Sequence, residues 1–152
     1  MTPKAKQRAT WVAICVACTG TFEGLRTVAY RDPVGIPTVC FGETDGVKLG
    51  DKFTVEQCKD MLGERVLEFG RGVDRCTKPA LPPTRKAALT SFAYNVGVEA
   101  YCGSTLVRKL NAGDTMGACN ELLKWTKAKG ITLPGLVKRR EQERAMCMEG
   151  IT

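Results

Sequence analysis

Eight cysteines, at positions 15, 18, 40, 58, 76, 102, 119 and 147, and not one histidine constrain this 152-residue chain more than any other feature of it. So many cysteines are out of place in a reduced compartment. Their spacings are too wide for a recognisable zinc cluster, and no metal or other cofactor is expected. Cys15-x-x-Cys18 lies in an apolar run rather than near a βαβ pattern, which leaves a thioredoxin-like role without support. What remains is a disulfide framework, beside the alternative that several cysteines are free thiols packed in a core. The lack of histidine also excludes Ser-His-Asp and Cys-His catalysis and the usual histidine-bearing zinc sites. Carboxylate chemistry is left.

The carboxylates to consider lie between Phe22 and Gly42. Glu23 ends an uncharged run, Ala9 to Phe22, and precedes Gly24, which reads as a helix stop. The negative end of the helix dipole and apolar neighbours such as Phe22 and Leu25 would both favour its protonated form, as a general acid requires. Asp32 opens Asp-Pro-Val-Gly, a turn sequence. The flanking segments, Val28 to Arg31 and Ile36 to Phe41, are short and rich in β-branched or aromatic residues, which predicts a hairpin with Pro37 on an edge strand. Thr38 falls just beyond the turn. Two carboxylates in unlike environments are the minimal apparatus for cleaving a glycosidic bond. Taken alone, Asp-Pro-x-Gly is explained by turn chemistry, and Glu23 by a solvated helix end.

The ensemble is more specific. Glu23, Asp32 and Thr38 at these spacings, with Glu23-Gly24-Leu25-Arg26 in front and Gly42 after the second strand, closely resemble the phage-type lysozyme family and, within it, the endolysins of lambdoid phages. The resemblance runs from about residue 20 to the C-terminus and includes residues 91–97, 104–114 and 135–140. It implies an α+β, lysozyme-like fold in which a small β-hairpin lobe is joined by a long helix to a larger helical lobe. It also implies a peptidoglycan hydrolase that cleaves between N-acetylmuramic acid and N-acetylglucosamine to lyse the bacterial cell. By the same resemblance Glu23 protonates the leaving oxygen, while Asp32 with Thr38 either positions and activates water or stabilises the oxocarbenium-like centre, the carboxyl separation deciding which; the family favours inversion, with Thr38 helping Asp32 hold the water. An arginine of the last helix, Arg139 by register rather than Arg140, would pair with Glu23. That bond opposes the helix-end and burial effects and leaves their net direction open. Tyr94, Asn95, Gly97 and Arg139 are the expected substrate-side residues, although Phe92 and Tyr94 suit a core equally well. Connectivity cannot be deduced from sequence, but the helix order suggests Cys40 with Cys58, Cys76 with Cys102, and Cys119 with Cys147. Each closes a loop of roughly 20 to 30 residues, worth on the order of 3 kcal/mol.

Residues 1–152 are expected to form one domain. Its first 22 residues are basic and then apolar, with Lys4, Lys6 and Arg8 ahead of the fourteen-residue uncharged run. That run is too short for a comfortable membrane span. It nevertheless resembles an export signal, and some similar endolysins carry a weak signal-anchor that is later released. A first core helix is the competing reading, and a released anchor can refold as one. No cleavage site is evident, so the segment is expected to be retained, with periplasmic export and transient membrane association through residues 9–22.

Along the rest of the chain, Asp45-Gly46 and Gly50-Asp51 bracket a short third strand at Val47 to Leu49. Thr54-Val55-Glu56-Gln57 is a capping box, followed by Val55, Cys58, Leu62, Val66, Phe69 and Val73 at helical spacing to about Arg75, with Gly70 and Gly72 weakening the last turns. Thr84 starts a helix with Ala88, Leu89, Phe92, Ala93 and Val96 inward and Gly97 as its stop. Ser104 and Asp114 cap two more, the second carrying Ala118, Cys119, Leu122, Leu123 and Trp125. Residues 127–134 read as a loop before a last helix over 135–148. The net charge of +7 is concentrated at the two ends, residues 23–123 being neutral. A basic C-terminal face could meet nucleic acid, but no nucleic-acid motif accompanies it, and an anionic wall polymer answers the same field. A monomer that binds peptidoglycan and no nucleic acid is therefore expected. A lytic transglycosylase and a non-catalytic cationic wall-binding module stay open as alternatives.

Overall fold

α1 (Pro3–Glu23) starts from Thr2, whose hydroxyl accepts the amide of Ala5, and stops at Gly24, where φ is +73°. A proline in the first turn and a glycine at a positive φ past the end are the ordinary helix boundaries. The structure, a computed structural model, describes residues 2–151, so Met1 and Thr152, the outermost residues of the expected domain, lie outside the described residues. α1 is covered on one face only. Cys15 and Thr19 are fully buried and Trp11, Ile14 and Cys18 partly so, whereas Ala13, Ala17 and Thr21 are exposed. Among the described residues no helix is long and apolar enough to cross a membrane.

β1 (Arg26–Arg31) and β2 (Pro37–Cys40) form the antiparallel hairpin, with Tyr30 opposite Thr38 and Arg31 opposite Pro37. The third strand expected at Val47 to Leu49 does not form. Two turns, with Gly46 and Gly50 both at positive φ, leave too few residues between them to pair. The amide of Lys48 goes instead to the Asp51 carboxylate, and isolated bridges at Val28–Lys52 and Val39–Glu43 hold the segment to the hairpin.

α2 (Val55–Cys76) begins with a reciprocal capping box between Thr54 and Gln57 and is about 33 Å long. Of the residues at helical spacing, Cys58, Leu62, Val66 and Val73 are buried on it, but Val55 stands in the first turn and is exposed. Gly70 and Gly72 are contact positions rather than weak points. A Cβ at Gly70 would lie 2.3 Å from the Trp11 ring of α1, and one at Gly72 would lie 2.6 Å from Val98.

α3 (Pro83–Val96) is enclosed by α1, α2 and the C-terminal helix α7 (Pro134–Met148). Residues 86–93 are buried without a break, which erases the one-sided pattern expected for this helix. Between α3 and α7 come α4 (Val98–Cys102), which sequence spacing did not predict, α5 (Thr105–Asn111) capped by Ser104, and α6 (Thr115–Glu121) capped by Asp114. The helix expected to carry Leu122, Leu123 and Trp125 ends at Glu121, and a 3-10 turn at Leu122–Lys124 leaves Leu123 exposed. The stretch expected as a loop before α7 contains a small hairpin, β3 (Lys127–Ala128) and β4 (Ile131–Thr132). Lys129 and Gly130 both take positive φ at its tip, the tight turn that two-residue hairpins favour.

Three disulfides, Cys40–Cys58, Cys76–Cys102 and Cys119–Cys147, fasten the hairpin to α2, α2 to α4 and α6 to α7. Cys15 and Cys18 on α1 are free. Because the Trp11 ring occupies the space over Gly70, Gly70→Ala should destabilise the fold by about 1–3 kcal/mol. Denaturant unfolding should show a smaller loss for the same substitution in a Trp11→Ala background.

Candidate active site

Glu23 is the last residue of α1, so its side chain leaves the helix where the bundle meets the hairpin. It opens into a cleft cavity of about 470 Å³ lined by Phe41, Gly42, Glu43, Thr44, Arg65, Glu68, Phe69, Tyr94 and Asn95. The Glu23 side chain is 24% exposed, and Oε1 accepts from Arg139 Nη1 at 2.6 Å. Gly42 faces the other oxygen, where a Cβ would stand 3.9 Å from Oε2 in ordinary van der Waals contact, and its φ of +85° is what favours glycine there.

Behind Glu23 lies a buried polar layer. Arg139 donates through Nη2 to the Ser91 carbonyl at 2.9 Å and through Nε to Glu143 at 3.2 Å. Arg140 donates to Glu143, to Asn95 Oδ1 and, at 2.9 Å, to the Trp125 carbonyl. Ser91 Oγ donates to Glu143 at 2.7 Å. The two guanidiniums also lie over the Phe22 and Phe92 rings. Two of the basic residues in the C-terminal run are therefore interior groups, which leaves the exposed Lys124, Lys127, Lys129 and Lys138 and the half-buried Arg144 to carry its cationic surface.

The hairpin places Asp32 in its turn, where Oδ1 accepts from the amides of Val34 at 2.9 Å and Ile36 at 2.8 Å. Thr38 is nearly buried on β2 and its hydroxyl donates to the Ile36 carbonyl at 2.9 Å. Neither residue lines the cavity that Glu23 enters. Tyr94 and Asn95 do. Gly97 instead lines an adjoining cavity of about 570 Å³ that shares Glu68 and Phe69 with the first, and Arg139 sits beneath the cleft rather than in it.

Sequence reasoning missed the wall opposite Glu23. Arg65 of α2 holds Glu43 through two bonds, of 2.9 and 2.8 Å, and also reaches Asp45 and Glu68. Glu43 lies in the irregular stretch after β2, and Arg65 sat on the polar side of a helix read for its apolar face. The one available signal was an arginine between acidic turn residues and Glu68, which a solvated helix face also explains. Arg65 holds the Glu43 carboxyl below its ordinary value against the opposing effect of burial. Tyr94 Oη donates to the Phe41 carbonyl at 3.1 Å and ties the two walls. Burial, reinforced by Glu23 and Glu43, pushes the Tyr94 hydroxyl up to about 12.

The phage lysozyme family matches residues 20–143. The SAR-endolysin of Bacteriophage PS119 is 42% identical over 129 residues, 84% of this chain and 77% of the relative. That of Enterobacteria phage P21 is 41% identical over 129 residues, 84% of this chain and 78% of its own. This chain belongs to the phage lysozyme family. Solved structures agree: an endolysin from Escherichia coli O157:H7 phage FAHEc1 superposes with a TM-score of 0.81 at 33% identity, over 91% of this chain and 92% of that one. The muramidase domain of SpmX from Asticaccaulis excentricus gives a TM-score of 0.82 at 28% identity, over 88% and 94%. The lysozyme is thus a glycoside hydrolase of peptidoglycan with the lysozyme-like α+β fold, a hairpin lobe and a helical lobe flanking α2.

In the unfolded lysozyme Glu43 takes up a proton at higher pH than in the folded one, so the stability it contributes is present above its ordinary range and is lost as pH falls through its depressed value. Arg65→Met should flatten that part of the acid dependence of Tm, measured from about pH 6 to about pH 3.

Proposed function

We propose that the chain hydrolyses the bond between N-acetylmuramic acid and N-acetylglucosamine, with Glu23 as the general acid. The observation that carries this reading is Glu23 itself. It is a carboxyl open to the cleft on one side and held by one oxygen on a buried arginine, where a glycosidic oxygen bound in the cleft can receive its proton. Asp32 and Thr38, on the hairpin beside it, position the water that attacks the opposite face of the sugar, with inversion at the anomeric carbon. Asp32 Oδ1 is committed to the turn, so Oδ2 is the oxygen that would hold the water. Tyr94 and Asn95 line the sugar cleft, Gly97 lines its extension, and Arg139 acts through Glu23.

Because Asp32 and Thr38 stand outside the cavity lining, lytic transglycosylation, which needs the acid but no activated water, is the second reading. The three disulfides support action outside the cytoplasm, in the periplasm. α1, packed on α2 and α3, is the form residues 9–22 take in the active monomer after any transient membrane association, within one domain. Peptidoglycan rather than nucleic acid is the partner of its cationic surface.

Purified protein incubated with peptidoglycan should release reducing muramic ends, seen by mass spectrometry. Anhydro ends would favour transglycosylation, and free amino groups without new sugar ends would overturn both. Glu23→Gln should lower turnover about 10² to 10⁴-fold while leaving the circular-dichroism melt close to that of the parent.

A further inference from the structure

We infer that Glu143 is a positioning residue for the general acid: its buried carboxylate takes up the charge of the two guanidiniums behind Glu23, so that Glu23 can hold the proton it must donate. This rests on Glu23 being the acid.

Glu143 is fully buried and makes no contact with the cleft. Both its oxygens meet donors. Oε1 accepts from Arg140 Nη1, and Oε2 accepts from Ser91 Oγ at 2.7 Å and Arg139 Nε at 3.2 Å. Ser91 Oγ in turn accepts from Arg139 Nη2 at 3.4 Å, so its proton points to Glu143. A site made of donors alone fits the ionised carboxyl. Burial holds the Glu143 carboxyl above its ordinary value, against the opposing pull of Arg140, Arg139 and Ser91 toward the ionised form.

The groups around this layer come from three helices. α7 supplies Arg139 and Arg140, α3 supplies Ser91, Asn95 and the Tyr94 hydroxyl, and α1 supplies Glu23 and the thiols of Cys15 and Cys18. Burial pushes Cys15 up to about 12 and also raises Cys18, which keeps both thiols neutral. The charges of the layer are then two guanidiniums against Glu143 and Glu23. Across the cleft Glu43 is matched by Arg65.

If Glu143 were neutral, two buried guanidiniums would be opposed by Glu23 alone, and its ionised form, useless as an acid, would be favoured. With Glu143 ionised, one positive charge is matched before Glu23 is counted. Arg139 is also fixed by Glu143 and by the Ser91 carbonyl, so it stays in place when Glu23 gains or loses its proton.

The test is the pH profile of wall lysis by the full chain. In Glu143→Gln the alkaline limb should move to lower pH by on the order of one unit, with activity on the acid side kept. Adding Arg140→Gln, which removes the surplus charge, should move the limb back toward the parent, whereas a merely structural loss would worsen with the second deletion. A folded Glu143→Gln whose limb does not move overturns the inference. Should that variant fail to fold, carboxyl-¹³C titration of the parent decides. Glu143 must be ionised at the pH of maximal lysis, and a neutral Glu143 there overturns the inference. Glu23→Gln, assayed in parallel, separates the two ideas, since near-parent turnover in it would remove the general-acid reading itself.

Discussion

The guanidinium of Arg139 reaches Glu23 from 116 positions further along the chain, and it does so from the interior, with 4% of the residue exposed. A charged group can stand there only if its N–H groups and its charge are met, because removing it from water otherwise costs several kcal/mol. Glu23, Ser91 and Glu143 meet them, and these belong to three helices, α1, α3 and α7. The packing of the bundle and the orientation of Glu23 are therefore one requirement. If α7 slid along α3, the same displacement would leave buried charges unpaired and turn Glu23 away from the cleft. A carboxyl placed this way is held by the core behind it, which is what the proposed general-acid role of Glu23 needs.

The other wall of the cleft has little core of its own. A two-stranded hairpin is marginal in water, and this one is held by attachments. The Cys40–Cys58 disulfide, the Arg65–Glu43 pair and the Tyr94–Phe41 hydrogen bond all converge on residues 40–43, where the chain leaves β2. Cys40 itself takes φ +61°, a left-handed conformation that costs a non-glycine residue on the order of 1–2 kcal/mol. That bend directs Phe41 and Gly42 into the cleft. α2 serves both sides, burying Leu62, Val66 and Val73 in the core while Arg65 and Glu68 face the cleft.

Much of the local plan was legible in the sequence. Glu23-Gly24 ended a helix, Asp-Pro-Val-Gly made the hairpin turn, and Thr54, Ser104 and Asp114 capped helices where their side chains predicted, because each of these depends on atoms within a few residues. The cysteine pairs that the order of those helices suggested, without fixing them, are the ones that form. Carboxylate chemistry followed from the absence of histidine, and the family resemblance rested on the spacing of Glu23, Asp32 and Thr38.

Tertiary structure decided what depends on distant partners. Gly70 and Gly72 read as weak turns until Trp11 and Val98 were seen to fill the space above them. The apolar stripe of α3 lost its meaning once helices covered every side. The family resemblance paired Arg139 with Glu23, as the structure has it, but only the positions of Glu143, Ser91 and Asn95 showed that Arg139 and Arg140 are both interior groups. Neighbouring residues can specify where a helix begins or a turn closes. Whether a charge is exposed or buried is fixed by what packs against it from elsewhere in the chain, and in this protein that is what sets Glu23 in its place.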